Sequence, residues 1–228
     1  MTAVHSVLDE KVRMPVEIRD ADACAATFLV DEGAAREIIA PTGLEPLRVA
    51  GRALSSLVFV RYVDGDLGPY HEFGLTLMVR GHDGGIGVYI PWLPVNQSFT
   101  CAAGREIWGF PKEIADIEVT PVRRGKRCAV RIDDRPVVTM ETAGGIPSPG
   151  GMGGASIAAY TLMDGVLRRT PWVMNPAQVR MGVGGTKIEL GNHPVADQMR
   201  ALGLPKRALF SSRIGLLRMT FEDAEVVR

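Results

Sequence analysis

The chain has 228 residues, with 26 basic and 26 acidic side chains and 46% hydrophobic residues. Balanced charge gives no long-range field to draw in nucleic acid or an anionic membrane, and no apolar run approaches the roughly 20 residues of a membrane span. The length suits a single domain, residues 1–228, and the mixed polar and charged start lacks the apolar centre of a signal peptide, so a cytoplasmic location is expected.

Asp31 is placed to cap a helix over residues 32–40, with Pro41 as the stop. Short runs rich in Val, Ile, Leu and Thr at 54–63, 72–80 and 87–91 read as strands, set apart by Gly, Pro and Asp. Ser98 or Asn96 starts a second helix that runs to Trp108, with Gly109 as its C-cap and Pro111 just beyond. Further strands follow at 117–122, 128–132 and 136–141. Residues 122–128 read as a hairpin whose turn carries Arg123, Arg124, Lys126 and Arg127. No aromatic residue is interleaved there, so it is a solvated turn and not a nucleic-acid patch.

The glycine-rich residues 144–154 lack the lysine and hydroxyl of a phosphate loop. They read as a mobile connection between two halves, with the length to fold over a pocket as a lid. Gly182, Gly184 and Gly185 sit in a strand pattern and suggest a bulge. Pro194 opens a third helix through Leu202, with Asn192 as N-cap and Gly203 and Pro205 closing it. Cys24, Cys101 and Cys128 form no CxxC pair, and the four histidines show no metal spacing. No metal or cofactor is therefore expected. Many short strands against three helices give an α+β class, mostly β. The expected form is an antiparallel curved sheet or cone-like β-barrel enclosing a pocket, with a few flanking helices.

The chemistry concentrates at Lys112. Trp108, Phe110 and Pro111 precede it, and Ile114 and Ala115 lie just beyond Glu113. An unperturbed lysine titrates near about 10.4, and burial in an apolar setting lowers that value. A free amine at neutral pH attacks a carbonyl and forms a Schiff base. The bland reading is a surface lysine lying along Trp108 or Phe110. Glu72 lies in an apolar strand with Phe73, Leu75 and Leu77, and faces either solvent or a polar pocket. Tyr70 shares its face.

The run Gly104-Arg105-Glu106, followed by Phe110-Pro111-Lys112, resembles the signature of the acetoacetate decarboxylase family. Tyr70-His71-Glu72 is similar to that family's Tyr-x-Glu strand, and residues 185–194 and 209–212 are similar to its C-terminal third. The resemblance implies Lys112 as the imine-forming nucleophile and Glu72 as the group that faces it. It also implies a small oxo-acid substrate and a homo-oligomer, with Tyr70, Arg105 and Phe110 as substrate-binding candidates. Arg105 either clamps a carboxylate or serves a structural pairing.

Three departures stand out. The family's second lysine is Glu113 here, which an extended backbone would turn to solvent, away from Lys112. Activation then has to come mainly from burial, with Arg105 the nearest candidate cation. The family's second active-site glutamate has no counterpart, since residues 53–62 contain no acid. Its N-terminal arginine falls near an alanine or aspartate, with Arg19 the nearest arginine. The resulting expectation is a lyase that decarboxylates a small, acetoacetate-like 3-oxo acid through a lysine imine. The alternatives are a Schiff-base aldolase or dehydratase acting on pyruvate or another 2-oxo acid, and a non-catalytic binding relative.

Overall fold

The computed structural model describes residues 3–123, 125–148 and 154–227. After a small hairpin of Val4–Val7 with Glu10–Arg13, and leaving aside two-residue strands, its strands in chain order are β1 (Val16–Val30), β2 (Arg52–Gly65), β3 (Tyr70–Arg80), β4 (Ile86–Val95) and the short β5 (Lys112–Ile114). Next come β6 (Asp116–Val122), β7 (Gly125–Ile132), β8 (Arg135–Ala143), β9 (Ala155–Met163), β10 (Val166–Gly182), β11 (Thr186–Leu190) and β12 (Phe210–Phe221). The α-helices are α1 (Glu32–Ile39), α2 (Ser98–Trp108) and α3 (Pro194–Ala201). None is long and apolar enough to cross a membrane.

Seven strands pair in the order β3-β2-β1-β12-β10-β9-β4, and β4 pairs again with β3, so the curved sheet closes on itself. Every step is antiparallel except β4 to β9. The little strand β5 lies parallel on β4, with Leu93 opposite Lys112. A second antiparallel sheet, β6-β7-β8-β11, stands apart from the ring.

This arrangement makes two cores. Val60, Tyr62, Leu93, Trp108 and Leu217 pack on the inside of the ring. Phe28, Leu57, Phe59, Leu75, Met140 and Met199 pack between its outer face, the second sheet and the helices α1 and α3. Parts of several ring strands are therefore buried on both faces. In β1, Val16, Ile18 and Ala23 belong to the inner core, while Cys24, Ala26 and Phe28 belong to the outer one. A strand covered on both faces shows no alternation of polar and apolar residues. Over residues 21–30 of β1 that alternation is missing, which leaves the strand without its usual signal. β10 was concealed differently, by Pro171 and Pro176, which argue against a central strand when read from sequence.

The helices fall where their caps predict, with two changes. Asp31 accepts a hydrogen bond from the Ala34 N–H at 3.0 Å. At α2 the cap is Gln97, not Ser98 or Asn96, because the Asn96 amide is taken up by the His71 N–H at 2.7 Å. At α3 the cap is His193 and not Asn192, its ring nitrogen accepting from the Val195 N–H. The hairpin at 122–128 forms with Val122 opposite Gly125, and Arg124 lies outside the described residues. Of the glycine-rich connection, Ile146 and Pro147 pair with Met181 and Arg180 of β10, while residues 149–153 lie outside the described set. The three cysteines are unpaired.

Candidate active site

Lys112 is set in place by the end of α2. Gly109 adopts a left-handed φ of 64°, a conformation that suits glycine, and its N–H caps the Arg105 carbonyl at 3.1 Å. The chain turns through Phe110 and Pro111 into β5, and the Lys112 N–H donates to the Phe110 carbonyl at 2.7 Å. The Lys112 side chain then passes back across α2 into the ring. It crosses Gly104 so closely that a Cβ there would stand 2.5 Å from Lys112 Cδ. The glycine of the Gly-Arg-Glu run is thus the gap through which the lysine reaches the cavity.

Lys112 is 3% exposed. Its Nζ lies 2.9 Å from Glu72 Oε2 and donates to Thr100 Oγ1 at 3.1 Å. Thr100 and Gly104 are four residues apart and so share one face of α2. The other Glu72 oxygen accepts the Tyr62 hydroxyl at 2.8 Å. Tyr62 stacks on Tyr70 at 4.1 Å between ring centroids, and Lys112 Nζ sits 5.0 Å from the Tyr70 ring centre. β2 and β3 set this cluster by register, with Tyr62 opposite Tyr70 and Val60 opposite Glu72.

Electrostatics at the site differ from the sequence expectation. Burial pulls the Lys112 ammonium down, but the adjacent Glu72 carboxylate outweighs it and holds Lys112 above the ordinary lysine range. Burial pushes both Tyr62 and Tyr70 up; the Glu72 charge adds to the rise, while Lys112 works against it at Tyr70. Lys112 is therefore an ammonium paired with Glu72, not a desolvated free amine.

The cluster opens on a cavity of about 250 Å³ inside the ring. Lys112 and Glu72 are the only charged residues on its wall among those described. The other polar ones are Tyr62, Tyr70, Ser56 and Thr76; of the two tryptophans on the wall, Trp108 donates its indole N–H to the Glu222 carbonyl at 2.8 Å and Trp172 has a buried indole N–H without a partner. Phe110 lines the wall, stacked on Trp108 at 5.6 Å. No group of three or more His, Cys, Asp or Glu suited to a metal occurs among the described residues.

Four of the residues singled out from sequence therefore meet in one place: Lys112, Glu72, Tyr70 and Phe110. Arg105 does not join them. It is exposed, its Nη1 donates to the Lys112 carbonyl at 2.9 Å, and it is not on the cavity wall. It braces the backbone that carries the lysine and supplies no cation inside. Glu113 does point away from Lys112, as an extended chain requires. It is half-buried rather than free in solvent, and accepts a hydrogen bond from the Trp92 indole. Arg19 is also accounted for outside the cavity, paired with Asp64 at 2.8 Å and Asp66 at 2.6 Å.

Tyr62 and Thr100 were missed from sequence, and Gly104 was noted as part of the signature run but without its role. Tyr62 was within reach of pattern reading, since it ends the strand run at 54–63 on the same parity as Val58 and Val60. Thr100 was not, because a threonine in the first turn of a helix usually serves the backbone.

A family model described as acetoacetate decarboxylase matches residues 7–228. An acetoacetate decarboxylase of Acidiphilium cryptum is 37% identical over 90 residues, 39% of this chain and 34% of that protein. The match thus spans about a third of the curated relative's length. Among solved structures, an acetoacetate decarboxylase superposes with a TM-score of 0.73 at 19% identity, covering 95% of this chain and 90% of the other. The enduracididine biosynthesis enzyme MppR complexed with pyruvate superposes with a TM-score of 0.72 at 18% identity, covering 93% and 90%. At these identities the two structures share the fold with this chain.

Proposed function

Because the chain belongs to the acetoacetate decarboxylase family, we propose that it is a Schiff-base lyase that decarboxylates a 3-oxo acid through an imine on Lys112. The observation that carries this reading is the buried Lys112 ammonium, hydrogen-bonded to Glu72 in a cavity whose described wall holds no other charge.

A proton passes from Lys112 Nζ to Glu72 Oε2 along their direct contact of 2.9 Å. This leaves a neutral amine beside a neutral acid, the minor form of a pair that Glu72 holds mainly as ammonium and carboxylate, and the amine reacts from that form. The amine attacks the C3 ketone carbon. The carbinolamine takes a proton and loses water, forming a cationic imine. The bond from C2 to the carboxylate then breaks. Carbon dioxide leaves, and the electron pair runs through C2 and C3 onto nitrogen to give an enamine. Protonation at C2, by Glu72 or by Tyr62 through Glu72, restores the imine. Water then releases the methyl ketone and regenerates the amine. The net change is one 3-oxo acid anion and one proton to one ketone and one carbon dioxide.

The charge-poor wall supports decarboxylation over the 2-oxo acid alternative. An aldolase or dehydratase must hold a carboxylate fast through the whole cycle, which calls for a cation in the cavity. Arg105 and Arg19, the two arginines considered for that task, both lie off the wall. A departing carboxylate needs no clamp, and an apolar setting destabilises it relative to neutral carbon dioxide. The test is carbon dioxide release from 3-oxo acids by the wild type and by Lys112→Ala. The reading predicts release that the substitution abolishes. No release from any 3-oxo acid, with pyruvate trapped at Lys112 by borohydride, would support the aldolase reading instead.

A further inference from the structure

We infer that the substituent on the substrate's ketone is an apolar group of about four to eight carbons, alkyl or aryl, and not the methyl group of acetoacetate. This rests on the imine chemistry proposed above and names its substrate class.

The cavity continues well past the reacting groups. From Glu72 the inward positions of β3 are Gly74, Thr76 and Met78, and those of β2 opposite them are Val58 and Ser56. The six steps from Glu72 to Met78 span about 20 Å at roughly 3.3 Å per residue. A methyl group needs only a small part of that. Volume gives a second measure. An apolar cavity of about 150 Å³ takes benzene, with its six carbons. By that ratio the roughly 250 Å³ found here takes about ten non-hydrogen atoms. The reacting part of a 3-oxo acid accounts for six, which leaves about four carbons in the enclosed part. Wall residues Val58, Thr76, Met78 and Ile214 are partly exposed, so the chain has room to extend toward them.

The wall also excludes a polar tail. Beyond Glu72 its hydroxyls are already engaged: Ser56 Oγ pairs with Thr27 Oγ1 at 2.8 Å, and Thr76 Oγ1 reaches the Ser56 carbonyl at 3.4 Å. Stacked Trp172 and Phe221, at 5.3 Å, add a flat and mostly apolar surface, on which the unpartnered Trp172 indole N–H is the one buried donor left over among the described wall residues. A sugar, phosphate or peptide tail would lose hydration there and regain little.

The test is kcat/KM for carbon dioxide release along acetoacetate, 3-oxohexanoate, 3-oxooctanoate and 3-oxo-3-phenylpropanoate, with borohydride trapping of acetone and 2-heptanone run beside it. Each buried methylene is worth about fourfold, so 3-oxooctanoate should exceed acetoacetate by about two hundredfold. Val58→Trp, which fills the path beyond the lysine, should collapse that ratio. A series that falls or stays flat from acetoacetate onward would overturn the apolar substituent while leaving the decarboxylase reading intact. No carbon dioxide from any acid, with 2-heptanone trapped far more readily than acetone, would keep the substituent and overturn the decarboxylation. Trapping of neither ketone and release from no acid would overturn both.

Discussion

Replacing Gly104 with alanine tests the lysine's position without removing any reacting group. The added Cβ would lie 2.5 Å from Lys112 Cδ, 2.7 Å from Cε and 3.2 Å from Cγ. Carbon atoms settle at roughly 3.5 to 4.0 Å, so the lysine stem has to move by about 1 Å. Its Nζ now sits 2.9 Å from Glu72 and 3.1 Å from Thr100. Shifted by that amount it stands about 4 Å from one or both, beyond hydrogen-bond reach. A displacement of about 1 Å at a reacting group costs on the order of a hundredfold in rate. The helix itself should not suffer, because alanine is better than glycine in a helix interior by about 1 kcal/mol. The expected result is a folded variant with turnover and borohydride trapping both down by about a hundredfold, its urea midpoint lowered because the strained lysine and its broken ion pair outweigh the helix gain. A variant that traps ketone at the wild-type rate would refute the claim that Gly104 is the passage for Lys112.

Glu72→Gln removes the carboxylate that raises Lys112 and leaves burial, which lowers it. The pH profile of trapping should therefore move to lower pH, and turnover should drop by about 10² to 10⁴ while the imine still forms. A shift to higher pH would mean Glu72 is not what holds the ammonium. Stability should fall in alkali, since Lys112, Tyr62 and Tyr70 all titrate above their ordinary values in the folded chain. Their contribution is intact below about pH 10, where the unfolded chain begins to titrate, and is lost as pH rises through the folded values. A urea midpoint that climbs above pH 10 would contradict this. Glu113→Gln keeps an acceptor for the Trp92 indole and should change turnover by less than about tenfold. A hundredfold loss would place Glu113 in the chemistry.

Sequence made the site more legible than the fold. Lys112 and Glu72 stand out as charged groups in apolar runs, and the resemblance to the acetoacetate decarboxylase family singled them out as site candidates together with Tyr70 and Phe110. The structure brings all four to one wall. Their electrostatics were not legible, because the Lys112–Glu72 contact joins residues forty positions apart and reverses the effect of burial. Arg105 shows the same limit. Nothing in its neighbours tells whether it reaches the cavity or the carbonyl behind it. The three helices were marked by Asp31, Gly109 and Pro194, residues that act within one turn. Four of the seven ring strands escaped notice; among them, the later part of β1 is covered on both faces and β10 carries prolines.

The most direct measurement is borohydride reduction in the presence of 2-heptanone, followed by mass mapping of the peptides. The account predicts a reduced adduct on the peptide that carries Lys112, and none in Lys112→Ala. An adduct on Lys126, Lys187 or Lys206 instead, or no adduct with 2-heptanone, acetone or pyruvate, would contradict it.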